Sequence, residues 1–211
     1  MSEYAFFECT NLSCRLRFPL DTKRHQGDFC PRCGARLCKV SAELDHFSGE
    51  PDKLIPGRRI SGVLDNIRSA FNVGGIFRTA DGAGVKHLYL CGITPNPAGY
   101  PSMTKTALGA EKTLPWSAHA NTLGVIENLQ EKGFFLLALE RTSDSTRIQE
   151  FPLDVIGQQP IALIIGHERA GVDPDLLKRC DAVIDLPMVG GKASINVAVA
   201  FGVAAYWLAF R

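Results

Sequence analysis

The segment Ile161-Ala162-Leu163-Ile164-Ile165-Gly166-His167-Glu168-Arg169-Ala170-Gly171 joins an unbroken apolar run to a polar loop bounded by glycines. Five apolar residues without polar alternation describe a strand buried on both faces, and such strands belong to parallel sheets covered by helices. A loop that follows a parallel strand leaves its carboxyl end, which is where ligands bind in sheets of this kind.

Working outward, residues 60–64, 87–91, 134–139 and 182–186 read as further buried strands. Helical patterns lie between and after them. They cover residues 70–83, 122–132 with Asn121 as N-cap, 173–179 with Pro174 in the first turn, and 196–210. Strands alternating with helices predict an α/β domain over residues 60–211, built on a mostly parallel sheet with both faces covered.

The 211 residues leave room for a small module beside that domain. A formal net charge of +1 excludes a general electrostatic field as the basis of nucleic-acid binding and leaves only local patches. The first nine residues set Glu3 and Glu8 among aromatics, so they do not read as an export signal. The apolar run 197–210 is shorter than the roughly 20 residues a bilayer crossing needs. A cytoplasmic protein with no membrane span is expected.

Four of the seven cysteines fall in the first 33 residues. Cys9-x4-Cys14, then fifteen residues, then Cys30-Pro31-Arg32-Cys33-Gly34, is a pairing of two close couples across a short loop. Tetrahedral Zn2+ takes such a set, and four thiolates would close the site, making the metal structural. Gly34 would let the backbone turn so that amides face sulfur. A segment of about 30 residues has too few apolar groups to fold alone, so metal binding would supply its folding free energy. Residues 1–40 are therefore expected to form a zinc ribbon, with 41–59 as a linker. Cys38 and His25 are lesser candidates for the fourth ligand. Cys91 and Cys180 read as packing residues. The module carries seven Lys and Arg against four Asp and Glu, and Arg15, Arg17, Lys23, Arg24, Arg32 and Arg36 are candidate phosphate contacts.

Three segments of the second domain look like sites. Residues 66–80 open a helix after a strand and contain Asn72, Gly74, Gly75 and Arg78. Residues 166–171 hold Glu168. Leu186-Pro187-Met188, then Gly190-Gly191-Lys192-Ala193-Ser194-Ile195-Asn196, lead into the last helix. Each alone is weak: a Ser-x-Asn stretch is often only a helix cap. Together, in order, and with Lys105-Thr106-Ala107-Leu108-Gly109-Ala110-Glu111 between them, they resemble the SpoU, or TrmH-like, branch of the SPOUT methyltransferases across residues 60–211.

The resemblance implies a SPOUT-type sheet with a C-terminal trefoil knot, and S-adenosyl-L-methionine as cofactor. It also implies methyl transfer to a ribose 2′-hydroxyl of tRNA or rRNA rather than DNA, in a homodimer where both subunits help to build each site. It assigns Arg78 to the hydroxyl, Asn72, Glu168, Ser194 and Asn196 to supporting positions in catalysis, and Gly166, Ile184, Leu186, Met188, Ser194 and Ile195 to the cofactor loops. A nicotinamide enzyme is disfavoured, because Gly82-Ala83-Gly84 precedes a strand and His87 stands where a third glycine is needed. The other alternative is a non-catalytic RNA-binding or ribosome-assembly protein on the same fold.

Overall fold

Apolar strands with no polar face need hydrogen-bonded neighbours on both edges and helices on both sides, and the second unit of the chain is built to provide them. A computed structural model describes residues 3–42 and 57–211. The chain divides into two compact units, Met1–Lys53 and Leu54–Arg211. Most of the interval 41–59, read above as a linker, lies outside the described residues.

The first unit is an antiparallel sheet of β1 (Tyr4–Cys9), β2 (Arg17–Asp21) and β3 (Leu37–Ala42), ordered β2-β1-β3. Its buried apolar residues, among those described, are Ala5, Phe7, Cys9 and Cys30. That is too little apolar surface to hold three strands, so the cysteines carry the folding problem.

The second unit runs β4 (Ile60–Asp65), α1 (Ala70–Gly82), β5 (Leu88–Cys91), α2 (Thr104–Ala107), α3 (Ala110–Thr113), β6 (Trp116–His119), α4 (Thr122–Glu131), β7 (Phe135–Leu139), β8 (Thr146–Arg147), β9 (Ile161–Ile165), α5 (Pro174–Leu177), β10 (Ala182–Asp185) and α6 (Val197–Ala209). All pairings in its seven-stranded sheet are parallel, in the order β6-β5-β4-β9-β7-β10-β8. Alternate side chains feed two cores. Ile161, Leu163 and Ile165 of β9 join one with Phe77 and Phe201, while Ala162 and Ile164 join the other with Val125, Ile126 and Leu176.

Two strands escape the sequence reading for physical reasons. Trp116-Ser-Ala-His119 has no apolar run because β6 is an edge strand, paired only with β5, and β8 is two residues long. The helix expected over 173–179 is a single turn. Asp181 ends it early by joining β7: its amide donates to the Leu136 carbonyl at 2.9 Å and its carboxylate accepts the Leu136 amide at 2.7 Å.

Helices α1 and α6 lie parallel on one face and meet along small residues. A Cβ at Gly75 would sit 3.4 Å from that of Ala198, one at Gly202 2.9 Å from Thr79 Cγ2, and one at Gly82 2.7 Å from the Tyr206 hydroxyl. On its other flank α1 is pressed against α2: a Cβ at Gly74 would overlap Thr106 Oγ1 and lie 2.5 Å from the Met103 carbonyl oxygen. Gly74→Ala should therefore destabilise the unit by about 1–3 kcal/mol through overpacking. Denaturant unfolding followed by fluorescence of Trp116 and Trp207, the only tryptophans and both in this unit, would read it as a lower midpoint at unchanged slope; an unchanged midpoint would mean that α2 yields freely.

Candidate active site

Because β4, β9, β7 and β10 are consecutive in the sheet, the loops leaving their carboxyl ends are neighbours, although they come from distant parts of the sequence. Glu168, in the loop after β9, reaches the loop after β4. Its carboxylate accepts the amides of Arg68 at 3.0 Å and Ser69 at 3.1 Å, and the side-chain amide of Asn72 at 2.9 Å. Ser69 is the N-cap of α1, its hydroxyl accepting the Asn72 amide at 3.3 Å. Glu168 thus places a negative charge on N–H groups at a helix start, where it is electrostatically favoured.

Asn72 passes the contact on. Its Oδ1 accepts from Asn196 Nδ2 at 3.0 Å, and Asn196 Oδ1 caps α6 by accepting the amides of Ala198 at 2.8 Å and Val199 at 3.4 Å. The orientation of both amides follows from chemistry. A carboxylate only accepts, so Asn72 must turn its NH2 to Glu168 and its oxygen to Asn196; Asn196 must then turn its own oxygen to the helix amides. Three segments are joined in one relay, with Asn72 96 residues before Glu168 and 124 before Asn196.

The other loops are tied in similarly. Glu140, just past β7, accepts the Val172 amide at 2.9 Å, and Arg141 donates to the Ala193 carbonyl at 3.3 Å. Gly171 has φ +78°, and a Cβ there would lie 2.6 Å from the Glu140 carboxylate. A Cβ on Gly166 would overlap the backbone of Gly171 and Val172, because the loop closes on itself through His167–Gly171 backbone bonds of 3.0 and 2.8 Å. His167 shapes this turn: its Nδ1 accepts the amides of Arg169 and Ala170, both at 3.1 Å, fixing the tautomer with hydrogen on Nε2.

These loops surround a cavity of about 650 Å³, a size usual for cofactor sites. Asn72, Gly166, Glu168, Leu186, Met188, Ser194, Ile195 and Asn196 line it, so the structure brings together most of the residues singled out in the sequence. Ile184 does not line it. That side chain is fully buried in β10, and its carbonyl accepts the Glu140 amide at 2.9 Å. Arg78 is also elsewhere, in a second cavity with Gly75, Thr79, Lys105, Thr106 and Tyr206. Glu140, Arg141 and Asp185 line the main cavity without having been singled out; the signal was the position of Glu140 and Arg141 at the carboxyl end of the strand expected over 134–139. Burial works to raise the Glu168 carboxyl, but the amides of Arg68, Glu168 itself and Ser69, with the Asn72 side chain, outweigh it and hold the group below its ordinary value.

In the first unit the sulfurs of Cys9, Cys14, Cys30 and Cys33 all lie within 4.8 Å of one another, with Cys9–Cys33 at 3.5 Å and Cys14–Cys30 at 3.9 Å. All four are free thiols, and together they could hold a metal ion. The two couples have similar turns. Arg15 follows the first at φ 46°, and Gly34 follows the second at φ 72°, its amide bonded to the Cys30 carbonyl at 2.9 Å. The Arg32 amide lies 3.4 Å from Cys30 Sγ. Cys38 instead donates to the Glu8 carbonyl, and His25 is outside the group. Burial pushes the Cys91 and Cys180 thiols up to about 12, which suits inert packing residues.

Comparison with known proteins bears on this geometry. Residues 60–206 match the SpoU rRNA Methylase family. The chain is similar to the 23S rRNA (guanosine-2′-O-)-methyltransferase RlmB of Ralstonia nicotianae, with 30% identity over 90% of this chain and 71% of that one. Among solved structures it resembles the AdoMet-bound rRNA methyltransferase of Sinorhizobium meliloti, with a TM-score of 0.66, 26% identity and coverage of 75% of this chain and 57% of that one. It also resembles the A. aeolicus TrmH/SpoU tRNA modifying enzyme, with a TM-score of 0.63, 25% identity and coverage of 72% and 76%. Several matched relatives are longer, and the chain spans 58%, 54% and 55% of three other RlmB proteins.

A carboxyl group held below its ordinary 4.5 adds stability that is complete above that pH and disappears as pH falls through the lower folded value. Glu168→Gln, which loses the charge and one of the two acceptor oxygens, should cost about 1 kcal/mol near neutrality given the group's partial exposure. Urea unfolding at a series of pH values should show this gap narrowing below pH 4.5; a gap that stays constant on acidification would show that the charge of Glu168 contributes nothing.

Proposed function

Because the chain belongs to the SpoU rRNA Methylase family, we propose that residues 60–211 transfer a methyl group from S-adenosyl-L-methionine to a ribose 2′-hydroxyl of rRNA or tRNA. The observation that carries this reading is the Glu168–Asn72–Asn196 relay at the wall of a 650 Å³ cavity, which joins all three site segments at the carboxyl ends of parallel strands.

The cofactor, when bound, supplies a methyl carbon attached to a sulfonium sulfur. Gly166, Leu186, Met188, Ser194 and Ile195 would hold it, with Ile184 buried behind them, and the mixed apolar and polar lining fits a nucleoside with a charged tail. Asn72, Glu168 and Asn196 keep the loops in register, which is what an in-line transfer demands of its surroundings, and Ser194 stands in the cavity wall beside them. Arg78 is assigned to the acceptor hydroxyl. A guanidinium is essentially never deprotonated in proteins, so its part is to stabilise the charge that develops on oxygen.

Arg78 lies outside the main cavity, and a homodimer in which it serves the site of a second copy accounts for that. In support, α6 exposes Val199, Val203 and Tyr206 along one side, with Phe210 just past its end, and Tyr206 also lines the cavity that contains Arg78. The strand order supports a C-terminal knot: β9 inserts between β4 and β7, so the chain leaving β10 must cross back over those strand ends before α6 packs on α1.

Residues 1–40 form a zinc ribbon in this reading, with 41–59 as linker. Tetrahedral Zn2+ with bonds of about 2.3 Å places its sulfurs about 3.8 Å apart, and the cysteine pairs at 3.5 and 3.9 Å fit that spacing. Cys30→Ser should lower bound zinc, measured by elemental analysis, from one per chain towards none, and unfold the first unit while Trp116 and Trp207 fluorescence keeps its native transition. A full equivalent of zinc in the variant would remove Cys30 from the ligand set.

The activity is tested by methyl incorporation from labelled S-adenosyl-L-methionine into RNA from a strain lacking the protein, followed by nucleoside mass spectrometry. Wild type should yield a 2′-O-methylated nucleoside and Arg78→Ala should lose at least 100-fold in rate, about the effect of removing one stabilising donor. Mixing Arg78→Ala with Asn196→Ala should restore part of the activity if each site takes residues from two copies. No incorporation by wild type would favour a non-catalytic RNA-binding role.

A further inference from the structure

Between α1, α2 and α6 lies the second cavity, about 630 Å³, lined by Gly75, Arg78, Thr79, Lys105, Thr106 and Tyr206. No carboxylate lines it, and among the described residues neither the Arg78 nor the Lys105 side chain has an ion pair or hydrogen bond. Some cations of this unit are matched, Arg179 with Glu127 at 2.6 Å and Lys178 with Asp175 at 2.8 Å; what sets Arg78 and Lys105 apart is that both line one cavity with no carboxylate in its wall. Two unmatched cations facing one space repel each other until an anion enters.

The surrounding hydroxyls narrow what could enter. Thr79 spends its hydrogen on the Gly75 carbonyl at 2.9 Å, and Thr106 on the carbonyls of Phe71 at 3.0 Å and Met103 at 3.2 Å. The Tyr206 hydroxyl, with no partner among the described residues, is left as a neutral donor beside the two cations. The backbone under Lys105 is also fixed. Thr106 locks α2 onto Gly74, and the turn that ends α2 holds Leu108 at φ 51°, a left-handed position that persists only where its surroundings enforce it.

We propose that this cavity takes the RNA phosphodiester adjoining the methylated ribose, with Lys105 as its principal cation. The inference rests on RNA being the substrate and on Arg78 acting at the 2′-hydroxyl. The 2′-oxygen and the 3′-phosphate sit on adjacent carbons of one ribose, so a space that presents Arg78 to the first brings Lys105 to the second. Lysine suits a phosphate as a point charge on a flexible stem.

The test is the salt dependence of binding to bulk rRNA and bulk tRNA by wild type, Lys105→Ala, Lys105→Met, Lys105→Arg and, as control, Lys132→Ala beyond α4. Each lost phosphate contact lowers the slope of log affinity against log salt by about 0.7–0.9. Lys105→Ala and Lys105→Met should show that loss, Lys105→Arg and Lys132→Ala should keep the wild-type slope, and calorimetry should find S-adenosyl-L-methionine affinity unchanged in all five. An unchanged slope in both neutral variants, with wild type binding RNA normally, overturns this inference alone. An equal loss of cofactor affinity also overturns it, by making Lys105 part of the cofactor site. Wild type that binds neither RNA overturns the proposed function along with it.

Discussion

The carboxylate of Glu168 bridges the loop after β9 to the loop after β4. The amides of Arg68 and Ser69 lie just ahead of α1, at its N-cap and the residue before it. One side chain from the loop after β9 takes both amides and passes a third bond through Asn72 to the start of α6. Because the donors are amides and the acceptor is charged, these are stronger than neutral contacts, and their geometry sets the angle at which α1 leaves the sheet.

That arrangement works only because of the order of the strands. Inserting β9 between β4 and β7 makes neighbours of loops that the sequence separates widely, and it turns the carboxyl edge of the sheet into one rim. Glu140 and Arg141 then brace the loops after β9 and β10 from the β7 side. The α1–α6 seam does the same one layer up: Gly75, Thr79 and Gly82 face Ala198, Gly202 and Tyr206, leaving room for two helices to lie close and parallel over the sheet. Cavity wall and helix layer are therefore set by one topology.

Much of this was legible in the sequence. Strands such as Ile161–Ile165 announce themselves because burial on both faces permits no polar residue, and Asn121 and Asn196 are recognisable caps. Asn72, Glu168 and Asn196 stood out by order and spacing, and they converge. What escaped is what tertiary context decides. The Trp116–His119 strand lacks an apolar signature because only one edge is paired, and Asp181 cuts α5 short for the sake of a contact with Leu136. Glu140 stands at the carboxyl end of an expected strand, but its part in the site depends on Gly171 turning beside it. The location of Arg78 in a separate cavity could not be read from a helical pattern, since Asn72 and Arg78 are six residues apart and so point to different sides of α1.

Asn196 has a double commitment whose consequence is dynamic. The same side chain donates to Asn72 and accepts the first free amides of α6. It cannot leave one contact by rotating without giving up the other, because its amide has a single oxygen and a single nitrogen to offer. The opening turn of the last helix is thus held shut by a contact on a different helix, and it can fray only when the cavity wall itself opens. Hydrogen exchange at Ala198 and Val199 is then a clock for the integrity of the rim, running at the rate of that collective opening instead of the fast fraying usual at helix ends.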